Sequence, residues 1–188
     1  MLSSIHGFPR IGAGRELKFA VESFWRGEID QTELGQKTEQ LRHENYDFLT
    51  SAGLDMVPVG DFSYYDKMLD MIAITGAVPQ RFPFAGEEVN LERYFAMARG
   101  TRGEAGNVRP LSMLKWFNTN YHYMVPEFSR ETKFRLASSS LLALVDEALN
   151  KGVPAMPVLI GPVSFLLLGR GQDDLNNLDL LDDLLPVY

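Results

Sequence analysis

An α/β fold of parallel strands alternating with helices is what this sequence predicts, on three observations. Two short apolar runs, residues 54–59 and 157–162, are bounded by glycine or proline. Around them lie stretches whose apolar residues return every three or four positions, the period of a helix face. The runs are continuous rather than alternating, which suits strands buried on both faces under helical cover, in an open doubly wound sheet or a barrel.

Residues 4–14 carry Gly7, Pro9, Gly12 and Gly14 and read as a short strand running into a glycine-rich turn. From 15 to 25, Leu17, Ala20, Val21, Phe24 and Trp25 line one helical face, with Gly27 as the stop. Asp30 followed by Glu33 has the form of an N-terminal cap. Leu34, Leu41, Phe48, Leu49 and Ala52 then mark a longer helix that ends before Gly53. Residues 54–59 are the first buried strand, and 60–63 lead into another helical stretch. Beyond Pro79 the chain is irregular until the helical spacing of Leu91, Tyr94, Phe95 and Ala98. Residues 101–110 are polar and glycine-rich and read as a mobile loop, because nothing in them buries enough apolar surface to offset the entropy of ordering. A strand over 111–117, a helix over 139–151 stopped by Gly152, and a strand over 157–162 follow. Residues 173–183 are acidic and punctuated by leucine, a helix with no strand between it and Tyr188. This amounts to about four strand-helix units, whereas a closed eight-fold barrel takes about 250 residues. A barrel reading therefore makes this part of one.

At 188 residues, 45% apolar and 23% charged, the chain can bury the core of one ordinary domain. A net charge of −7 argues against a general nucleic-acid binder, whose phosphate-driven affinity needs a basic surface. The chain has no cysteine, which excludes a disulfide framework, a thiolate zinc site and a cysteine nucleophile built from it alone. Residues 1–10 lack the cationic start and apolar run of a secretory signal, and nothing approaches the roughly 18 apolar residues of a membrane span. A soluble cytoplasmic protein is expected, with no membrane or nucleic-acid partner.

Three constellations can carry chemistry. Gly12-Ala13-Gly14 feeds a helix start at which backbone N–H groups and the dipole favour an anion, and Arg15 and Lys18, three residues apart, fall on one face of that helix. The plainer alternative is a solvated pair, with Lys18 matched to Glu22 four residues on. The glycine pattern fits neither a Walker A loop nor a dinucleotide fingerprint. Residues 115–123 put Lys115, Trp116, Asn118, Asn120 and Tyr121 where a strand gives way to polar and aromatic groups, a position where ligands gather in strand-helix folds. Lys115 can meet an anion there, and Trp116 or Tyr121 can stack on a flat ring; an aromatic core with a capped turn is the alternative. Asp61, Asp66 and the Tyr64-Tyr65 pair follow the first buried strand, where Asp61 is expected to cap the next helix. His6 and His122 suggest no third metal ligand, so no metal site is expected.

Five segments, GFPRIG (7–12), RELK (15–18), PVGDFSYYD (58–66), KWFNTNYHYMVPEF (115–128) and LIGPVSFL (159–166), occur in an order and spacing that resembles the N-terminal region of the cobalamin-independent methionine synthase family. The resemblance implies a fold: the N-terminal part, about half, of a TIM-like (βα)8 barrel spanning residues 1–188, with the second, zinc-binding catalytic barrel absent. It also implies an activity for the full-length protein, transfer of a methyl group from 5-methyltetrahydropteroyltri-L-glutamate to L-homocysteine. Zinc in that second barrel stabilises the homocysteine thiolate, and its ligands are not in this chain.

For this chain the resemblance implies a site for the polyglutamate tail of the folate, made by Arg15, Glu16, Leu17, Lys18 and Lys115, with no catalytic residue and no metal ligand. Two departures bear on tail affinity. Leu114 stands where the family commonly has threonine, and Gly14 where a bulkier or basic residue is frequent. The competing reading is a non-catalytic half-barrel scaffold or interaction protein. A half-barrel leaves sheet edges and apolar faces uncovered, so self-association or a homodimer is expected.

Overall fold

The computed structural model describes residues 1–82, 88–102 and 107–188. In chain order its elements are α1 (Glu16–Trp25), α2 (Gln31–Ser51), β1 (Val57–Val59), α3 (Lys67–Thr75), α4 (Leu91–Arg99), β2 (Met113–Lys115), β3 (His122–Met124), β4 (Glu127–Phe128), α5 (Ser140–Asn150), β5 (Ala155–Pro157), α6 (Pro162–Leu167), β6 (Arg170–Gly171) and α7 (Leu181–Leu184). Two compact units share them: residues 1–64 with 141–158, and residues 65–140 with 159–188.

In the first unit, α1 buries Leu17, Ala20 and Val21, the face its spacing predicts, and packs on α2. The Asp30 side chain accepts from the Glu33 N–H at 2.8 Å, so the expected cap forms and α2 runs to Ser51. Thr38 is fully buried in the middle of α2, where its hydroxyl donates to the Leu34 carbonyl at 3.0 Å and so leaves no unsatisfied polar group. β1 pairs in parallel with β5, Val57 opposite Ala155 and Val59 opposite Pro157. Pro58 has no N–H to give. The ladder instead runs from Val57 N–H to the Pro154 carbonyl (2.9 Å) and from Val158 N–H to the Val59 carbonyl (2.8 Å). Val57 and Val59 are completely buried with Tyr46, Leu49, Ala148 and Val153, the core of this unit. Arg42 on α2 forks onto Glu147 on α5 at 2.9 and 2.6 Å, with both side chains mostly buried.

In the second unit, α3 carries Met68, Leu69, Met71 and Ile72 into the core and packs on β3 and α4. β2 and β3 form an antiparallel hairpin, Lys115 opposite His122. β4 and β6 pair in parallel, and Phe128 meets Phe165 of α6 edge-on with centroids 5.5 Å apart, both rings fully buried. Gly169 is required beside them, because a Cβ there would sit 2.2 Å from the Phe128 ring.

Mixed α/β structure with parallel strand pairs and helices is thus as expected, but several elements differ. Residues 4–14 form no strand. The segment is tied down by bonds that involve side chains instead: Asp55 accepts from Ser3 N–H (2.7 Å) just before it, and within it Asp61 accepts from Phe8 N–H (2.7 Å) and Arg10 Nε donates to the Ser63 carbonyl (2.8 Å). The strand expected at 157–162 lies earlier, at Ala155–Pro157, since Pro162 opens α6 as a helix-compatible first residue. The 111–117 strand shortens to Met113–Lys115 and turns antiparallel, because a tight turn returns the chain at once. The helix expected over 173–183 is a 3₁₀ turn, Asn177–Leu180, followed by the single turn α7. Of the loop expected at 101–110, residues 103–106 lie outside the described residues, as do 83–87 in the irregular stretch after Pro79. The ends of that loop are drawn together by an antiparallel bridge between Thr101 and Val108.

Candidate functional site

The start of α1 is built around a tight turn. Gly12 has φ +84°, and Arg15 N–H donates back to its carbonyl at 3.1 Å. Arg15 itself sits in the left-handed region at φ 65°, ψ 34° with no side-chain cap, and Glu16 opens the helix. The Glu16 carboxylate folds back onto Gly14 N–H, with both oxygens at 3.0 Å. A Cβ on Gly12 would come within 2.0 Å of that carboxylate, so the turn takes glycine on two counts, conformation and space. The chain thereby supplies its own anion at the positive end of the helix. Leu17 is 1% exposed and anchors the segment from beneath, while Arg15 is exposed and Lys18 half-exposed.

Lys18 Nζ lies 3.5 Å from Glu22, the i,i+4 pairing its spacing allows, and 5.7 Å from the Phe19 ring centroid. Both acid and base are partly exposed, so the pair is weak and readily exchanged for another anion. Arg15 has no acidic partner among the described residues.

Lys115 ends β2 in the second unit, exposed, and it too has no acidic partner among the described residues. Arg15, Glu16, Leu17 and Lys18 are therefore brought together by α1, and Lys115 belongs to the other unit. After Lys115 the chain reverses: Thr119 N–H donates to the Trp116 carbonyl (3.1 Å) and Trp116 N–H to the Tyr121 carbonyl (2.7 Å). Asn118 and Asn120 fall in this turn. Trp116 meets the Phe117 and Tyr123 rings edge-on, at 5.2 and 5.7 Å.

Asp61 and Asp66 fall in different units and have different tasks. Asp61 was expected to cap the next helix, but it lies six residues before α3 begins at Lys67, and its carboxylate is engaged by Phe8 N–H. Asp66 is the cap. One of its oxygens accepts from Met68 and Leu69 N–H (2.8 and 3.3 Å) and the other from Met124 N–H on β3 (3.1 Å). It is 2% exposed, and burial, with Asp70 nearby, pushes its carboxyl up to about 7. Asp70 in turn accepts from the buried Tyr94 hydroxyl at 2.7 Å. The cap pattern at Asp66 was available in the sequence, an acid immediately before the apolar run of α3.

His6 and His122 also fall in different units. Among the described residues no group of three or more histidine, aspartate and glutamate side chains is arranged to hold a metal ion. No described helix is long and apolar enough to cross a membrane.

Residues 2–188 match the cobalamin-independent synthase N-terminal domain family. Relatives named 5-methyltetrahydropteroyltriglutamate–homocysteine methyltransferase are 55% identical over 188 residues in Salinibacter ruber and 47% identical over 184 residues in Flavobacterium johnsoniae, each covering 97% of this chain. A Nitrosomonas europaea protein of the same name is 48% identical over 183 residues, again covering 97% of the chain. The chain spans about a quarter of the length of these relatives (24%).

Proposed function

The chain belongs to the cobalamin-independent synthase family as its N-terminal domain, and from that premise we propose that it holds the polyglutamate tail of a methyl-donating folate. Within a full-length protein it would serve methyl transfer from 5-methyltetrahydropteroyltri-L-glutamate to L-homocysteine, the reaction in its relatives' names. The observation that carries this is the accessibility of Arg15, Lys18 and Lys115 in a chain of net charge −7. Their charges attract a tail of several carboxylates while the surrounding acidic surface disfavours indiscriminate anion binding.

Glu16 and Leu17 act differently from the three cations. Glu16 closes the turn through Gly14 N–H, and Leu17 fixes the helix to the core, so that Arg15 and Lys18 are presented together. Zinc is assigned no residue here: the chain has no cysteine, and no described cluster suits the ion. The methyl transfer chemistry belongs to parts of the protein beyond this chain.

We read the architecture as about half of a TIM-like (βα)8 barrel over residues 1–188, working in the cytoplasm. The parallel pairs β1–β5 and β4–β6, with helices between strands in the chain, support this. Apolar side chains remain at the surface, Leu142 and Leu149 on α5 and Val163 and Leu167 on α6. The isolated chain therefore self-associates at high concentration. Light scattering that reads a strict monomer there would count against the half-barrel.

Calorimetric titration with tri- and monoglutamyl 5-methyltetrahydrofolate at two salt concentrations tests the tail site. Exposed ionic contacts contribute about 0.2–1 kcal/mol each, so two extra carboxylates give the triglutamate an advantage of roughly 2- to 30-fold. The advantage shrinks with salt and in a Lys18→Ala, Lys115→Ala double variant. Equal affinity for the two folates would refute the site.

A further inference from the structure

At φ +49°, Phe117 occupies the left-handed region at the turn of the β2–β3 hairpin. It follows Trp116, whose carbonyl accepts the turn-closing bond from Thr119, so it stands at the first central position of that turn. A positive φ there belongs to glycine or asparagine, which adopt it with little steric penalty. A phenylalanine adopts it at a penalty, and a residue held in such a region is a reason to look for a function there.

Folding gains little from the ring to offset that penalty. Phe117 is 69% exposed, against 3% for Tyr123 on the neighbouring strand. What the ring does have is a rigid support. Tyr123 donates its hydroxyl to the Leu168 carbonyl at 3.0 Å, Trp116 stands edge-on to Tyr123, and Phe117 edge-on to Trp116. Two residues before it, Lys115 offers a cation with no acidic partner among the described residues. An exposed, backed aromatic ring beside an unmatched cation complements one ligand chemistry, a flat aromatic group bearing carboxylates.

We propose that Phe117 is a stacking platform for the aryl group of an N-aryl glutamate ligand, the part of a folate that joins its ring system to its glutamate tail, with the tail carboxylates directed to Lys115. The platform rests on the tail-binding function proposed above. It adds a selectivity the cations alone cannot give, because charge does not distinguish a folate tail from any other acidic peptide, and a ring does.

Two probes separate the two ideas: p-aminobenzoyl-triglutamate, which carries the aryl group, and the ring-free peptide triglutamate. Both are titrated into the chain by calorimetry, alongside the variants Phe117→Gly and Phe117→Tyr. The aryl probe binds about 2- to 10-fold more tightly than the ring-free peptide, the range aromatic pairs supply. Phe117→Tyr keeps that preference and Phe117→Gly abolishes it. Because glycine suits the turn, the Phe117→Gly protein melts at the same temperature as the parent or higher. Equal binding of the two probes to the parent chain sinks the platform and leaves the tail site standing. Binding of neither probe removes the tail site and the platform with it. A Phe117→Gly protein that loses melting temperature but keeps the aryl preference shows the ring to be structural and overturns the proposal.

Discussion

The start of α1 and the β2–β3 hairpin both present cations to solvent, but the first has acids at hand and the second does not. Lys18 has Glu22, and the helix start has Glu16 folded onto Gly14 N–H. Lys115 has no acid among the described residues. An incoming anion at α1 must displace interactions already made, so its net gain there is a difference between similar terms. At the hairpin it gains the whole contact. A matched lysine and an unmatched one can thus look alike in sequence, each standing between a leucine and an aromatic residue.

The strongest way to break the comparison is to remove what holds the hairpin while leaving α1 intact. Asp66→Ala strips the acceptor from three backbone N–H groups, one of them on β3, and leaves them buried. A loss of about 2–4 kcal/mol in urea unfolding is expected, against little change for an exposed acid. Stability unchanged within error would mean the cap does not support β3.

Asp66 also gives the molecule a pH response. Its folded carboxyl is raised to about 7, above its ordinary value of 3.8, so the folded state binds the proton more tightly than the unfolded chain does. Its contribution is therefore fully present below about pH 4 and is lost as pH rises through 7. Melting temperature is expected to fall between pH 5 and pH 8, and Asp66→Asn to flatten that part of the profile.

Gly12→Ala attacks the other region. It forces a Cβ into the left-handed backbone at φ +84° and into the Glu16 carboxylate, and should cost about 1–2 kcal/mol and loosen the start of α1. A neutral outcome would mean the turn relaxes without Glu16.

The finest test compares the two lysines. Lys115→Ala is expected to change stability by less than about 0.5 kcal/mol, and Lys18→Ala to lose about 0.2–0.5 kcal/mol with the Glu22 pair. In triglutamate affinity the order reverses: Lys115→Ala weakens binding more than Lys18→Ala, about 5-fold against about 2-fold. Equal losses would erase the distinction drawn between the two regions.

Much of this was legible in the sequence where local rules decide. The helices α1, α2, α4 and α5 follow from apolar spacing, and the Asp30 cap of α2 formed as written. Elements decided by distant partners were less legible. Residues 4–14 have strand-like residues, but Phe8 N–H finds the Asp61 carboxylate and Arg10 the Ser63 carbonyl rather than a neighbouring ladder. Asp61 has the type and position of a cap, yet Phe8 N–H, 53 residues away, takes it first. The hairpin was hidden because its turn uses Phe117-Asn118 in place of the asparagine-glycine pair that usually announces one. The pairing of Lys18 with Glu22 was open to the sequence as an i,i+4 match, whereas the lack of an acid beside Lys115 among the described residues could be read only from the folded chain.

The pairing of β1 with β5 gives the first unit a schedule. Arg42 waits for Glu147, 105 residues later, and β1 waits for a strand made later still. At ribosomal speeds of about 5–20 residues per second, that interval lasts roughly 5–20 seconds. For that time Val57 and Val59, completely buried in the finished protein, lie uncovered on a nascent chain. The segment is thus prone to aggregation before it is part of a fold. Slowing translation between residues 60 and 150 should lower the yield of soluble protein more than slowing it anywhere before β1.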